Sequence, residues 1–247
     1  MKKSIAISIT LICVMAVMAI GGISQAFAES RLVPIYCVDR DDNYVAISFD
    51  AAWGADKTRK IMDVCDAYNV KATFFLVGFW IDKFPDMVAE ISARGFEIGT
   101  HSDTHPQMSK LSEQQVRSEL TTSCRKLVDI TGNPVKVFRP PFGDYNNRLL
   151  NVATDLGLYT VQWSVDSLDW KGLSAVQIAE RVQKAKSGDI ILCHNNSDHI
   201  VEALPLIFEA LQLKGLKFCP VGELIYFDDY YIDGSGKQIS KSKSDNT

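Results

Sequence analysis

The sequence predicts an α/β protein in which about seven parallel strands, separated by helices, close into a (β/α) barrel. Three observations lead there. Apolar, β-branched or aromatic runs alternate with helical periodicity through the middle of the 247-residue chain, which is the signature of repeated βα units. Gly95, Gly157, Gly188 and Gly215 each stand between a helical stretch and the next strand-like one, where helices stop. Composition does not break across these units, so one continuous sheet that closes on itself accommodates them.

The elements follow in order. Lys2 and Lys3, an apolar run from Ile5 to Ile23 and the triplet Ala26, Phe27, Ala28 make an export signal spanning 1–28 and cut after Ala28; left uncut, the run is long enough to anchor the chain in a membrane. Residues 29–42 read as a linker. The first strand, 44–50, ends on a lone carboxylate, Asp50. A helix at 57–69, a strand at 71–77, a helix at 83–94 and a strand at 96–101 succeed it. Ser112 opens a helix at 112–131 that Gly132 and Pro134 end. A strand at 135–140, a helix at 146–156, a strand at 159–166, a helix at 174–186, a strand at 189–194, a helix at 201–213 and a strand at 216–220 complete the series. One domain is expected over 43–227, followed by a disordered polar tail at 228–247, rich in Ser, Lys, Asp and Gly.

Thirty acidic residues against 26 basic ones give a net charge of −4, with no basic run in the folded part. That excludes nucleic acid as a partner. Cys13 leaves with the leader, and the five that remain, Cys37, Cys65, Cys124, Cys193 and Cys219, include no C-x-x-C pair. An odd count argues against a fully paired disulfide scaffold. A monomer is expected, and an exported one.

In a barrel of this kind the reactive groups gather where the strands end, because the loops there converge on one mouth. The strand ends hold Asp50, His101 with His105 four residues on, Arg139, Asp166 with Asp169 behind it, and His194. Each alone has a plain reading. Asp50 suits a helix N-cap, Arg139 a surface ion pair, and the H-x3-H spacing a structural pair. His199 reads as a solvated residue at the start of the last helix. Together they put three of the chain's four histidines at one apolar mouth, which favours a joint role. Two neutral imidazoles on one loop suit zinc rather than magnesium or calcium. Such an ion lowers the pKa of bound water towards about 7, a nearby carboxylate takes the water's proton, and His194 protonates a leaving amine. The chemistry is hydrolysis of an amide.

In their order these residues resemble the polysaccharide deacetylases, the NodB-homology family of carbohydrate esterases. Ser48-Phe49-Asp50 matches T-F-D-D, His101-Ser102-Asp103-Thr104-His105 matches H-[ST]-x-x-H, and Arg139-Pro140-Pro141-Phe142-Gly143 matches R-x-P-[YF]-G. Asp166-Ser167-Leu168-Asp169-Trp170 is similar to D-x-x-D-W, and Leu192-Cys193-His194 to L-x-H. The resemblance implies a distorted barrel. It implies Asp50 as general base held ionised by Arg139, and His101 and His105 as ligands of a divalent metal, zinc or cobalt. His194 would be the general acid, its cation favoured by Asp169. Trp170 and Leu192 would wall a pocket for the acetyl methyl, and the backbone N–H of Phe142 would bind the oxyanion. The implied substrate is an extracellular amino-sugar polymer, peptidoglycan N-acetylglucosamine or N-acetylmuramic acid, or a chitin-like glycan.

One position departs from the family pattern. Ala51 stands where the family has a second aspartate, a third metal ligand. The expectation is weak metal binding, with Asp56 and Asp103 as candidate substitutes. Spore-associated bacterial members resemble the chain in this departure and in the tryptophan-glycine after it, which implies a cell-wall or spore-envelope location. The competing expectation is a catalytically silent glycan-binding or wall-structural protein of the same fold.

Overall fold

A strand with helices on one face and barrel interior on the other has no side that water reaches, so its residues are apolar or hydrogen-bonded throughout. The computed structural model describes residues 30–244; the expected leader at 1–28 lies outside them. Residues 30–32 belong to a separate N-terminal unit and form neither helix nor strand there. The unit Val33–Thr247 contains the strands β1 (Cys37–Val38), β2 (Tyr44–Ala51), β3 (Thr73–Leu76), β4 (Glu97–Thr100), β5 (Val137–Phe138), β6 (Tyr159–Thr160), β7 (Val165–Asp166), β8 (Ile190–His194), β9 (Lys217–Phe218), β10 (Tyr230–Ile232) and β11 (Lys237–Ser240). All of β2 but Tyr44 is buried, as the rule requires.

The main sheet runs β6-β5-β4-β3-β2-β8-β7, with β9 also pairing β2, and every pairing in it is parallel. The parallel α/β architecture is therefore as expected, with one difference. The segment 159–166 is not one strand: β6 pairs with β5 at one edge and β7 with β8 at the other. The chain itself crosses the seam, and the sheet is a curled, incomplete barrel rather than a fully laddered one.

The α-helices of the described residues are α1 (Thr58–Ala67), α2 (Gly78–Lys83), α3 (Pro85–Ala93), α4 (Glu113–Thr131), α5 (Asn147–Asp155), α6 (Ala175–Val182), α7 (Ile200–Leu213), α8 (Val221–Leu224) and the single turn α9 (Lys241–Ser244). The helix read at 83–94 begins earlier and is divided, because Pro85 restarts the turn as α3. Elsewhere the caps are those the sequence announces. Gln115 N–H donates to Ser112 Oγ and Ser112 N–H donates back to Gln115 Oε1 (2.9 Å) at the start of α4, which ends on left-handed Gly132. Ile61 and Cys65 of α1 and Leu204, Ile207 and Phe208 of α7 belong to the buried cluster that contains Phe49, Phe74 and Ile191 of the sheet.

The tail expected to be disordered is a correction. β10 and β11 form an antiparallel hairpin, and β11 pairs with β1 from the segment read as a linker. Gln238 is fully buried, and its side chain accepts from Tyr226 N–H (2.9 Å) and donates to Tyr226 carbonyl (2.7 Å). The polar composition that reads as disorder is here consumed by backbone partners, Asp233 Oδ1 accepting from the N–H groups of Ser235 and Lys237 in the turn. All five cysteines of the described residues are free thiols.

Candidate active site

Register decides which side chains meet. Asp50 lies opposite Phe75 of β3 and His194 of β8, while Thr100 of β4 pairs with Leu76 and Phe138. His101 comes one residue after Thr100 and Arg139 one after Phe138, so all four ionisable groups leave the sheet at the same rim. Gly99 helps at a distance: a Cβ there would come within 2.6 Å of the Phe75 ring, and Phe75 is the face on which the Arg139 guanidinium lies, 4.2 Å from the ring centroid.

Arg139 is fully buried. Its Nη1 donates to Asp50 Oδ1 (2.8 Å) and to Ser48 Oγ (2.8 Å), and its Nη2 donates to the Gln162 carbonyl (3.0 Å). Ser48 and Asp50 point the same way because they are two apart on one strand. Burial alone would push the Asp50 carboxyl up, but the charge of Arg139 first, with His101 and His194 behind it, outweighs burial and holds the group below its ordinary value. Asp50 is thus a buried, ionised base.

His101 is fixed in one tautomer. Its Nδ1 lies 2.7 Å from the Arg139 carbonyl, which can only accept, so Nδ1 carries the hydrogen and Nε2 presents a bare lone pair. Burial lowers the pKa of His101, and burial with the His101 charge takes His105 down to about 4. Both rings are neutral. Their centroids are 5.0 Å apart, and left-handed backbone at Ser102 and His105 bends the intervening loop back over the mouth.

On the other side, His194 Nδ1–H donates to Asp169 Oδ1 (2.7 Å), and His194 N–H donates to Asp169 Oδ2 (2.8 Å). Burial disfavours the imidazolium, yet the hydrogen bond and charge of Asp169, with Asp50 and Asp166 behind it, raise the His194 pKa above its ordinary value. Asp50 and His194 line one cleft of about 610 Å³ together with His101, His105, Phe142, Trp170 and Leu192. The residues of the expected site, Arg139 through its bond to Asp50 and Asp169 through His194 included, are thus brought to one place.

The lone pair of His101 Nε2 and Asp50 Oδ2, both acceptors, lie 3.6 Å apart. That arrangement is relieved by a cation, so the donors present fit a divalent ion held by two imidazoles. The third position is short of a ligand. Ala51 is fully buried within the apolar cluster of Phe49, Leu76 and Trp80. The Asp103 carboxylate is taken by Lys126 Nζ (2.6 Å), and exposed Asp56 does not line the cleft. Among the described residues no group of three or more His, Cys, Asp or Glu could hold a metal. Asp166 supports its own loop, Oδ1 accepting from Leu168 N–H (2.8 Å), whereas the partners of Arg139 are Asp50, Ser48 and Gln162.

Four residues of the site were not legible as functional. Ser48 and Gln162 hold Arg139, Trp163 lines the cleft, and buried Asn195 ties the loop after β2 to the loop after β8 through Gly54 carbonyl (2.9 Å) and Thr58 Oγ1 (3.1 Å). Ser48, two residues before Asp50 on the same strand face, had a usable signal in that spacing; for Gln162 and Asn195 a lone amide gives none.

Comparison with known proteins agrees. A family model described as polysaccharide deacetylase matches residues 38–161. A peptidoglycan-N-acetylglucosamine deacetylase of Bacillus cereus is 38% identical over 179 residues, which cover 70% of this chain and 65% of that protein. The chain spans 65%, 60% and 45% of the first three curated relatives' lengths. The solved Bc1960 peptidoglycan N-acetylglucosamine deacetylase superposes with a TM-score of 0.75 at 34% identity, covering 78% of this chain and 92% of that one. A wild-type CE4 family pseudoenzyme from Bacillus anthracis also superposes with a TM-score of 0.75, at 30% identity, over 83% of this chain and 69% of that one. A mutant of that pseudoenzyme has restored enzymatic activity.

Proposed function

The chain belongs to the polysaccharide deacetylase family, and from that membership and the geometry of its mouth we propose that it hydrolyses N-acetyl groups of an extracellular amino-sugar polymer, peptidoglycan before chitin-like glycans. The observation that carries this reading is the pairing, across one cleft, of an ionised base with a charged acid: Asp50 on Arg139 and His194 on Asp169. A glycan-binding surface has no need of two such oppositely poised groups.

In the reaction Asp50 Oδ2 removes a proton from the attacking water as its oxygen bonds to the acetyl carbon. The carbonyl electron pair moves onto oxygen, where the N–H of left-handed Phe142 (φ 61°) donates to the oxyanion. Collapse breaks the C–N bond, and His194 gives its Nε2 proton to the departing amine, leaving acetate and a free amino sugar. Trp170 and Leu192 exclude water around the acetyl methyl. A divalent ion on His101 and His105, zinc or cobalt, would supply Lewis-acid polarisation of the carbonyl and a more acidic water.

The pH dependence follows from the two shifts. Asp50, held below the ordinary carboxyl value of 3.8, stays ionised throughout the neutral range. His194, held above its ordinary value by Asp169, keeps its proton to higher pH than a free imidazole and loses it as pH rises through the raised value. Activity is expected to be flat below that point and to fall above it. In Asp169→Asn burial dominates His194, so the alkaline limb of kcat/KM against pH moves to lower pH; an unmoved limb assigns the acid elsewhere.

Ala51→Asp tests the metal. A carboxylate at this buried site is uncompensated without a cation, so the variant is expected to melt below the wild type in chelator and to gain more from zinc. Its zinc affinity should rise by roughly 10- to 100-fold, at least what an outer-shell partner contributes. Unchanged zinc affinity, by calorimetry, would mean that position 51 does not face the ion.

The silent, glycan-binding reading has a specific observation behind it in Ala51 and in the likeness to a pseudoenzyme. The leader pattern of 1–28 supports action outside the cytoplasmic membrane; the cell wall or spore envelope as the place, and a monomeric chain, are parts of the same proposal. Acetate released from N-acetylglucosamine polymer in zinc or cobalt, and none from Asp50→Ala, distinguishes enzyme from binder.

A further inference from the structure

We propose that Glu119 is a positioning residue for the loop that carries the two cleft imidazoles: reaching in from α4, its carboxylate holds the backbone between His101 and His105 and so sets one ring against the other. The inference rests on the two-imidazole site and not on the reaction assigned to the cleft. It adds a residue that stands outside the mouth and that none of the motifs contains.

The loop does not favour this shape by itself. Ser102 (φ 68°) and His105 (φ 58°) both place side chains in the left-handed region, a cost that the surroundings have to offset. The two successive N–H groups of Asp103 and Thr104 converge on one point, the arrangement that makes an anion-binding concavity. Glu119 supplies the anion. Its Oε2 accepts from Asp103 N–H (2.9 Å) and from Thr104 N–H (2.8 Å), and its Oε1 accepts from Thr104 Oγ1 (2.6 Å). Bonds to an ionised acceptor are the strong ones. The loop's carbonyls are engaged from the opposite side, that of Ser102 by Gly78 N–H (3.0 Å) and that of Asp103 by Phe79 N–H (3.2 Å). Lys126, about two turns further along α4, takes the Asp103 carboxylate (2.6 Å). One helix therefore grips the loop by its backbone and by its acidic side chain.

The two histidines depend on this grip unequally. His101 follows β4 directly, and its Nδ1 is held by the Arg139 carbonyl (2.7 Å). His105 stands at the far end of the loop, where its N–H donates to Ser102 Oγ (3.0 Å) and closes the turn. The 5.0 Å between the two ring centroids is thus a property of the loop's backbone. Rings already set at their working separation need less ordering when an ion binds. With Ala51 in place of a third ligand, two imidazoles carry the ion, so its affinity depends closely on how well that separation is kept.

The test is metal binding, read without the reaction. Zinc is titrated calorimetrically into wild type, Glu119→Ala, Glu119→Gln and Glu119→Asp, the visible absorption of each is recorded with cobalt(II), and melting in chelator reports whether each variant folds. Glu119→Ala should lose roughly 10- to 100-fold in zinc affinity, the range that groups behind the ligands contribute, and its cobalt bands should differ in shape from those of the wild type. Glu119→Gln, whose amide oxygen can still accept from both N–H groups, should retain most of the affinity and the wild-type bands. Glu119→Asp keeps the charge but is one methylene short; it should lose affinity too, and it decides the question if the alanine variant does not fold. Equal zinc affinity in the wild type and in the folded alanine or aspartate variant overturns the proposal, as does a wild type that binds neither ion. Loss of zinc in Glu119→Ala from a protein that releases no acetate would refute the deacetylase reading and leave Glu119 in its role; acetate release with zinc affinity unmoved in Glu119→Ala does the reverse.

Discussion

Asp50→Asn is expected to lower acetate release by roughly 10²- to 10⁴-fold, the range that a positioned general base contributes. Asparagine keeps the shape, and its oxygen can still accept from Arg139 Nη1, the 2.8 Å bond that holds Asp50 Oδ1. What it loses is the basic oxygen nearest His101, Oδ2, and so the ability to take a proton. The effect should fall on kcat, with glycan affinity by calorimetry nearly unchanged, because the lost interaction belongs to the transition state. An Asp50→Asn enzyme turning over at the wild-type rate would remove the base from the mechanism.

The second large effect is on the fold. Arg139→Met is expected to cost about 3–5 kcal/mol, because it leaves Asp50 buried without its cation while Ser48 Oγ and the Gln162 carbonyl lose a donor. Burial, the largest influence on Asp50, would then be opposed by His101 and His194 alone, and the pKa is expected to rise. The sign of the pH dependence inverts with it. In the wild type Asp50 has a depressed folded pKa, so its stabilisation is present above the unfolded value of about 3.9 and is lost as pH falls through the folded one. In Arg139→Met the raised folded pKa makes the protein relatively more stable at acid pH. Urea midpoints at pH 4 and 7 check both statements, and the double variant with Asp50→Asn should be less destabilised than the sum of the singles. Additive losses would mean that the two side chains do not act as a pair.

Much of this was legible because the strongest signals are local. Apolar runs bounded by glycine located the strands of the main sheet, and Ser112 marked the start of α4 and Gly132 with Pro134 its end. The ends of those strands named the reacting groups in advance, since parallel register delivers each strand's last residue to one rim. Long-range pairing was not legible. Nothing in residues 159–166 announces that their two ends pair with opposite edges of the sheet, and nothing in a lysine- and serine-rich tail announces that Gln238 will be buried against Tyr226. Support residues were hidden for the same reason, because the role of Gln162 depends on Arg139 reaching its carbonyl from another strand.

Ala51 divides the two remaining readings. A fold neighbour from Bacillus anthracis is described as a pseudoenzyme whose mutant recovers activity, so the family tolerates loss of function with the scaffold intact. Here both ion pairs that the proposed proton transfers need are present, Asp50 with Arg139 and His194 with Asp169. The most direct measurement is acetate and free-amine release from peptidoglycan fragments by the purified chain, with zinc or cobalt added, beside Ala51→Asp. The account predicts equimolar acetate and amine from the unaltered chain. No release from it, with release appearing only in Ala51→Asp, would contradict the account.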